Sequence, residues 1–185
     1  MHILIIGGTG MLTEASTLLA ARCTTLTMIA SSKSSLSKFD HTLDMVDCHR
    51  YLLNLNWSDP IEFVSAISRH ILSVGVPNMV LAWVHEDNLA AELVKMFAIH
   101  NTCTDFFHVR GSSAGNPNAD SQSNRAIEMS AGDINYHEII LGFQLAGSGE
   151  RWLDHSEISK GIILAIDNPE QKSIVGSIQP WSSRP

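Results

Sequence analysis

The sequence predicts a doubly wound α/β domain in which about seven mostly parallel strands carry helices on both faces. Three observations carry this expectation. Strand-like and helix-like segments alternate from the first residue onward. The first and fourth strand-like runs, His2–Ile6 and Asn78–Val84, are nearly unbroken apolar stretches, the form taken by strands buried on both faces. The first of them ends in glycines that open a helix. Alternation of this kind calls for right-handed crossovers and a parallel sheet.

His2–Ile6 is the first strand, closed by Gly7-Gly8. Met11, Leu12, Ala15, Leu18 and Leu19 then recur at helical spacing between Gly10 and Arg22. Thr24–Ala30 reads as a second strand, followed by the polar cluster Ser31-Ser32-Lys33-Ser34-Ser35 and a short helix around Leu36–Met45. Arg50–Trp57 gives a third strand. Asp59-Pro60-Ile61-Glu62 then supplies an N-cap carboxylate, a proline at the first helical position and a glutamate three residues after the cap. Ile61, Val64, Ile67 and Ile71 mark the buried face of that helix, and Gly75 ends it. Asn78–Val84 is a fourth strand. Leu89, Leu93, Val94 and Phe97 line a fourth helix that stops at His100-Asn101.

Asp105–Val109 is a fifth strand running into Gly111-Ser112-Ser113. Ala114–Asn124 holds Gly, Pro, Asn, Asp and Ser without an apolar period and reads as a loop. Ile134–Phe143 is a sixth strand. Asp154-His155-Ser156-Glu157 repeats the capping spacing before a helix whose apolar face is Ile158, Ile162, Ile163 and Ile166. Ser173–Ile178 is a last strand, ahead of Pro180-Trp181. With no internal repeat or linker, residues 1–185 read as one domain.

Composition narrows the function classes. Against 19 Asp+Glu stand 12 Lys+Arg, a net charge of -7 that leaves nothing to neutralise a run of phosphates, so a nucleic-acid groove is not expected. No stretch of about 18 apolar residues occurs, which argues against a membrane span. Met1-His2-Ile3-Leu4 lacks the basic start of a signal peptide, and Cys23, Cys48 and Cys103 are odd in number and unpatterned, as in a reducing, cytoplasmic setting. The nine histidines show no ligand spacing, so no metal site is expected. Charged residues make up only 17%, which together with the tryptophans fits a homo-oligomer.

Gly7-Gly8-Thr9-Gly10-Met11-Leu12 lies where a βαβ unit holds a dinucleotide pyrophosphate. Glycines let the backbone approach the phosphates, and the free N–H groups and dipole of the helix favour negative charge. The usual third glycine position holds Thr13, whose branched side chain is expected to hold helix and strand slightly apart. At the end of the second strand a carboxylate would select NAD. Here stand Ser31, Ser32 and Lys33, with no carboxylate until Asp40, a set that favours the 2′-phosphate of NADP over NAD. Such Ser/Lys clusters are also common as plain solvated turns.

Taken with Gly111-Ser112-Ser113, Leu141-Gly142-Phe143, Arg151-Trp152-Leu153, Glu157-Ile158-Ser159 and Pro180-Trp181, the glycine turn resembles the short-chain dehydrogenases/reductases, in particular a small atypical branch, over nearly the full length. The resemblance implies a Rossmann fold with an NAD(P) site across the carboxyl ends of the strands. It also implies that Asn56 stands where many relatives carry an Asp touching the adenine, and that Trp83, Val84 and His85 flank the nicotinamide ribose. The departures are as informative. Family members of the usual kind use a Tyr and a Lys four residues apart, the Lys lowering the phenol pKa for proton exchange with a carbonyl. This chain has only Tyr51 and Tyr136, and Ile140 follows the latter at that spacing, so the dyad is absent.

Candidates for chemistry are therefore the strand-end residues. His85 could pass a proton, Ser113 could hydrogen-bond a developing oxyanion, and Ser112 could contact the cofactor. All three can equally serve turns and caps, and Glu86 and Asp87 suit the start of the fourth helix. Trp152 reads as an anchor of the last helix entry, or else as a lid over a substrate, with Arg151 beside it. Two function classes follow: a small NADPH-dependent oxidoreductase acting on a small carbonyl or similar acceptor, and a non-catalytic NADP(H)-binding sensor. Lys33→Glu is expected to weaken NADP(H) binding about tenfold or more while leaving NAD(H) binding unchanged in calorimetric titration. Unchanged NADP(H) affinity would overturn the assignment of Lys33.

Overall fold

The structure is a computed structural model that describes residues 1–116, 132–146 and 149–185. Part of the expected polar loop, 117–124, and the segment around Ala126–Met129 lie outside the described residues. The chain opens with β1 (His2–Ile6), α1 (Thr13–Ala20), β2 (Thr25–Ala30), α2 (Lys33–Thr42) and β3 (His49–Asn54). It continues through α3 (Pro60–Val74), β4 (Met79–Trp83), α4 (Asp87–Ala98) and β5 (Thr104–Arg110), then a 3-10 turn at Ser112–Gly115. After β6 (Ile134–Leu141) come β7 (Phe143–Ala146), β8 (Gly149–Trp152), α5 (His155–Asp167) and β9 (Lys172–Val175).

Seven strands form one parallel sheet in the order β3-β2-β1-β4-β5-β6-β9. This is the Rossmann arrangement, and the strand order reverses between β1 and β4. Alternation within β1 shows why both faces are covered. Ile3 and Ile5 join a core with Leu12, Ala15 and Leu19 of α1, Leu36 and Phe39 of α2, and Ile158, Ile162 and Ile166 of α5. Leu4 and Ile6 point the other way, into a core with Phe63, Ile67 and Ile71 of α3 and Leu89, Leu93, Val94 and Phe97 of α4. Among the described residues no helix is long and apolar enough to cross a membrane.

The caps form as the sequence requires. The Asp59 carboxylate accepts from the Glu62 amide at 3.1 Å with Pro60 at the first helical position. Asp154 and Glu157 make a reciprocal capping box at 2.8 and 2.9 Å. Arg151 grips the same glutamate at 2.7 and 2.8 Å, and together these donors hold the exposed Glu157 carboxyl down at about 2.

Several expectations are corrected. Ile61 does not face the core; it is 85% exposed, and Phe63 takes the buried place, in step with Ile67 and Ile71. The second helix begins at Lys33 rather than Leu36, because the Ser32 hydroxyl accepts from the Ser35 amide at 3.2 Å and caps it. The sixth strand ends at Leu141. At Gly142 a side chain would run into the backbone of Ser177, and Phe143 instead pairs with Ser177 and starts an antiparallel hairpin, β7–β8, that the sequence did not reveal. The last strand stops at Val175, where Gly176 turns with φ +77°.

One buried polar pair bears on pH. His108 of β5 is fully buried, with Nε2 2.9 Å from the Val84 carbonyl and Nδ1 2.7 Å from the Tyr136 hydroxyl. A carbonyl only accepts, so Nε2 carries the proton and the tyrosine donates to Nδ1. The ring is neutral, and burial pushes its pKa below the ordinary 6.5. Burial lowers His2 and His70 in the same direction. Below 6.5 the unfolded chain takes up protons that the folded chain refuses, so stability is lost as pH falls. Urea unfolding is expected to show His108 alone costing up to about 1.4 kcal/mol per pH unit below its unfolded value. His108→Asn should flatten this slope; an unchanged slope would show that His108 does not carry it.

Candidate functional site

Parallel strands place their carboxyl ends along one edge, and the crevice at the β1/β4 reversal is where such sheets bind ligands. The glycine turn sits there. Gly7 has φ +75°, and a side chain on it would lie 3.1 Å from the Trp83 carbonyl. Gly8 is the point of closest packing: a Cβ would stand 2.5 Å from both Ile5 Cγ2 and Ser16 Oγ. The Ser16 hydroxyl uses that gap to donate to the Gly8 carbonyl at 3.0 Å. Gly10 differs. It is exposed, with nothing within 4 Å of the position its side chain would take. Leu12, the N-cap of α1, offers no side-chain cap. The open backbone at Gly10 and the uncapped helix start form a cradle for an anion.

Thr13 does not act as expected. It begins α1 on the half-exposed side, its hydroxyl donating to the Gly10 carbonyl at 2.6 Å. Gly8 and Ser16, not Thr13, set the distance between helix and strand, so Thr13 holds nothing apart.

Ser31, Ser32, Lys33 and Asn56 follow β2 and β3 at this same edge. Ser31 and Lys33 are exposed, the latter in the first turn of α2, whereas the Ser32 hydroxyl is occupied in capping. Asn56 is exposed and its carbonyl accepts from the Ser58 amide at 3.1 Å. Asp40, the nearest carboxylate downstream, pairs with Arg50 at 3.2 Å.

Beside the turn lies a cleft of about 210 Å³ lined by Met11, Trp83, Ser112, Leu141, Trp152 and Leu153. Ser112 is buried, and its oxygen accepts from Arg184 Nε at 2.9 Å. Val84, next in the chain after Trp83, is buried, with its carbonyl given to His108. His85 is exposed and stands edge-on to Trp83, ring centres 4.9 Å apart, but does not line the cleft. Ser113 is exposed and also outside it. Phe143, at the end of the expected sixth strand, is fully buried.

Trp152 is not the anchor of the helix entry. Leu153 and Ile158 occupy the two staple positions around the Asp154 cap, while Trp152 is 46% exposed at the cleft. The Arg184 guanidinium stands 5.2 Å from its ring and 5.3 Å from that of Trp181. Nothing in local sequence pattern singles out Arg184; only the returning tail brings it here. Neither tyrosine is available. The Tyr136 hydroxyl is committed to His108, and Tyr51 sits in β3 against His49 and His70. Among the described residues no group of three His, Cys, Asp or Glu is placed to hold a metal.

No family model matches the sequence, and no curated protein matches it. Solved structures do. A short-chain dehydrogenase from Sphingobium yanoikuyae in complex with NADPH superposes with TM-score 0.69 at 13% identity, over 98% of this chain and 91% of that one. A short-chain dehydrogenase from Oenococcus oeni gives 0.72 at 12%, over 95% of each chain. A metagenomic short-chain oxidoreductase in complex with NADP gives 0.62 at 9%, over 95% and 94%. The chain therefore has the fold of the short-chain dehydrogenases.

Alanine at Gly10 meets open space, so Gly10→Ala is expected to stay within about 0.5 kcal/mol of wild-type stability while dinucleotide affinity drops at least about tenfold. Gly8→Ala should instead cost about 1–3 kcal/mol or more by overpacking. Unfolding curves and calorimetric titration of both variants check this contrast; a Gly10→Ala variant that binds as before would remove the turn from the site.

Proposed function

We propose that this protein binds NADP(H) across the glycine turn and serves as an oxidoreductase for a small acceptor held in the adjoining cleft, working without the tyrosine. The observation that carries the proposal is the pairing of an open, uncapped backbone cradle at Gly10–Leu12 with an apolar cleft at the same strand edge. Ser31, Ser32 and Lys33, with Asp40 drawn away by Arg50, favour the 2′-phosphate of NADP over the bare ribose of NAD. Asn56 lies at the same edge to meet the adenosine end. Two of the structural neighbours carry NADPH or NADP, which supports the same choice.

When bound, the dinucleotide supplies the hydride. The chain's own residues position and polarise. Trp83, Leu141 and Trp152 offer an apolar wall, and Val84 and His85 border the ribose position. Ser112 accepts from Arg184, so its own hydrogen is free to donate to an acceptor oxygen as negative charge develops there. Ser112 therefore takes the role first expected of Ser113. His85 stands outside the cleft wall, edge-on to Trp83, and in this reading the proton comes from water.

A second reading, a non-catalytic NADP(H)-binding sensor, is favoured by one observation: neither tyrosine lines the cleft, Tyr136 being bonded to His108 and Tyr51 lying in β3. Calorimetric titration with NADP+, NADPH, NAD+ and NADH tests both. Binding of NADP(H) at least about tenfold tighter than NAD(H), with NADPH consumed in a screen of carbonyl and quinone acceptors, is expected. Tight binding without turnover would favour the sensor, and no binding of any of the four would overturn both.

A further inference from the structure

We propose that Arg184 is the recognition residue for an anionic group on the acceptor, so that the cleft takes a small apolar molecule bearing a carboxylate. The inference rests on the proposed acceptor cleft and names the class of compound it selects.

The argument starts from how the guanidinium is held. Its Nε donates to Ser112, and its Cζ lies over two indoles, 5.2 Å from the ring centre of Trp152 and 5.3 Å from that of Trp181. Stacking on aromatic faces leaves the edge of a guanidinium open, and that edge carries the donors that match a carboxylate. With Nε used, the two terminal nitrogens remain, and neither has a protein acceptor among the described residues. Other arginines near this edge are already neutralised. Arg110 pairs with Asp87 and Glu138, and Arg151 pairs with Glu157 through both terminal nitrogens. Arg184 has no ion pair among the described residues, although the chain carries a net charge of -7. A cation left unpaired in an acidic protein, yet fixed by three side chains, is arranged for an incoming anion.

Position decides which anion. Arg184 touches Ser112 and Trp152, two residues that line the cleft, and Ser112 follows β5 rather than β1. Dinucleotide phosphates would be met at the other end, by the Gly10–Leu12 cradle and by Lys33. The remaining walls of the cleft, Met11, Trp83, Leu141 and Leu153, are apolar, and about 210 Å³ admits a small body only.

The test uses the intact chain and two probes of nearly equal shape, benzoylformate and its neutral methyl ester, titrated by tryptophan fluorescence with and without NADPH. Wild type is expected to bind the acid at least tenfold more tightly than the ester. Arg184→Gln should abolish that preference while leaving NADPH affinity within twofold, and Arg184→Lys should restore part of it. A protein that fails to bind NADPH but still selects the acid through Arg184 would support this inference and separately refute the cofactor assignment. Equal binding of acid and ester, or acid preference that survives Arg184→Gln, would overturn it. So would an Arg184→Gln variant that loses NADPH instead, since the guanidinium would then belong to the dinucleotide.

Discussion

The distance between α1 and β1 is set at a single point, where the backbone of Gly8 meets Ser16, Ile5 and Met28 with no room for a side chain. Because the strand and helix touch there, the Ser16 hydroxyl reaches the Gly8 carbonyl and satisfies a buried acceptor that the turn would otherwise strand. The rest of the site follows from that contact. It holds the start of α1 over the edge of the sheet, leaves Gly10 facing open space, and brings Met11 to the wall of the cleft. Gly7 completes the turn by passing close to Trp83 of the neighbouring strand, so the glycine turn and the end of β4 form one surface.

The chemistry available at that surface is limited by what is missing from it. A tuned phenol contributes typically 10²–10⁴-fold to proton transfer, and here the only two hydroxyphenyl groups are spent elsewhere, one inside the sheet with His108 and one in β3. What remains is a serine whose oxygen is already polarised by an arginine, set among apolar walls. Such a site can orient an acceptor and stabilise negative charge; under the proposed function the rest of the chemistry falls to the dinucleotide and to water. The hairpin β7–β8 and the tail beyond β9 close it. Trp152, which lines the cleft, comes from one and Trp181 and Arg184 from the other, and the guanidinium lies over both indoles.

Much of this was legible from residue order alone. The glycine turn, the run of buried strands and the Asp59 and Asp154 caps are local signals: each depends on neighbours within four residues, and each forms where expected. The absence of the Tyr/Lys pair was equally plain. Errors fell where local pattern and tertiary contact disagree. Ile61 fits the helical period but lies on the solvent side, because Phe63 fills the core. Phe143 continues an apolar run, yet Gly142 breaks it, since only there does the Ser177 backbone press against the strand. Thr13 holds the motif position that implies a spacing role, whereas the close packing falls at Gly8.

The sequence by itself determined the alternating α/β order, the turn at residues 7–12, the lack of a tyrosine dyad and the Ser31-Ser32-Lys33 cluster after the second strand, since all of these are properties of neighbouring residues. Only the tertiary structure decided the cleft. Its walls come from positions 11, 83, 112, 141 and 152, and the guanidinium that bonds one of those walls comes from position 184, 72 residues beyond the serine it touches. No periodicity encodes such a meeting, because the parallel crossovers bring those strand ends to one edge and the returning tail lays Arg184 across it.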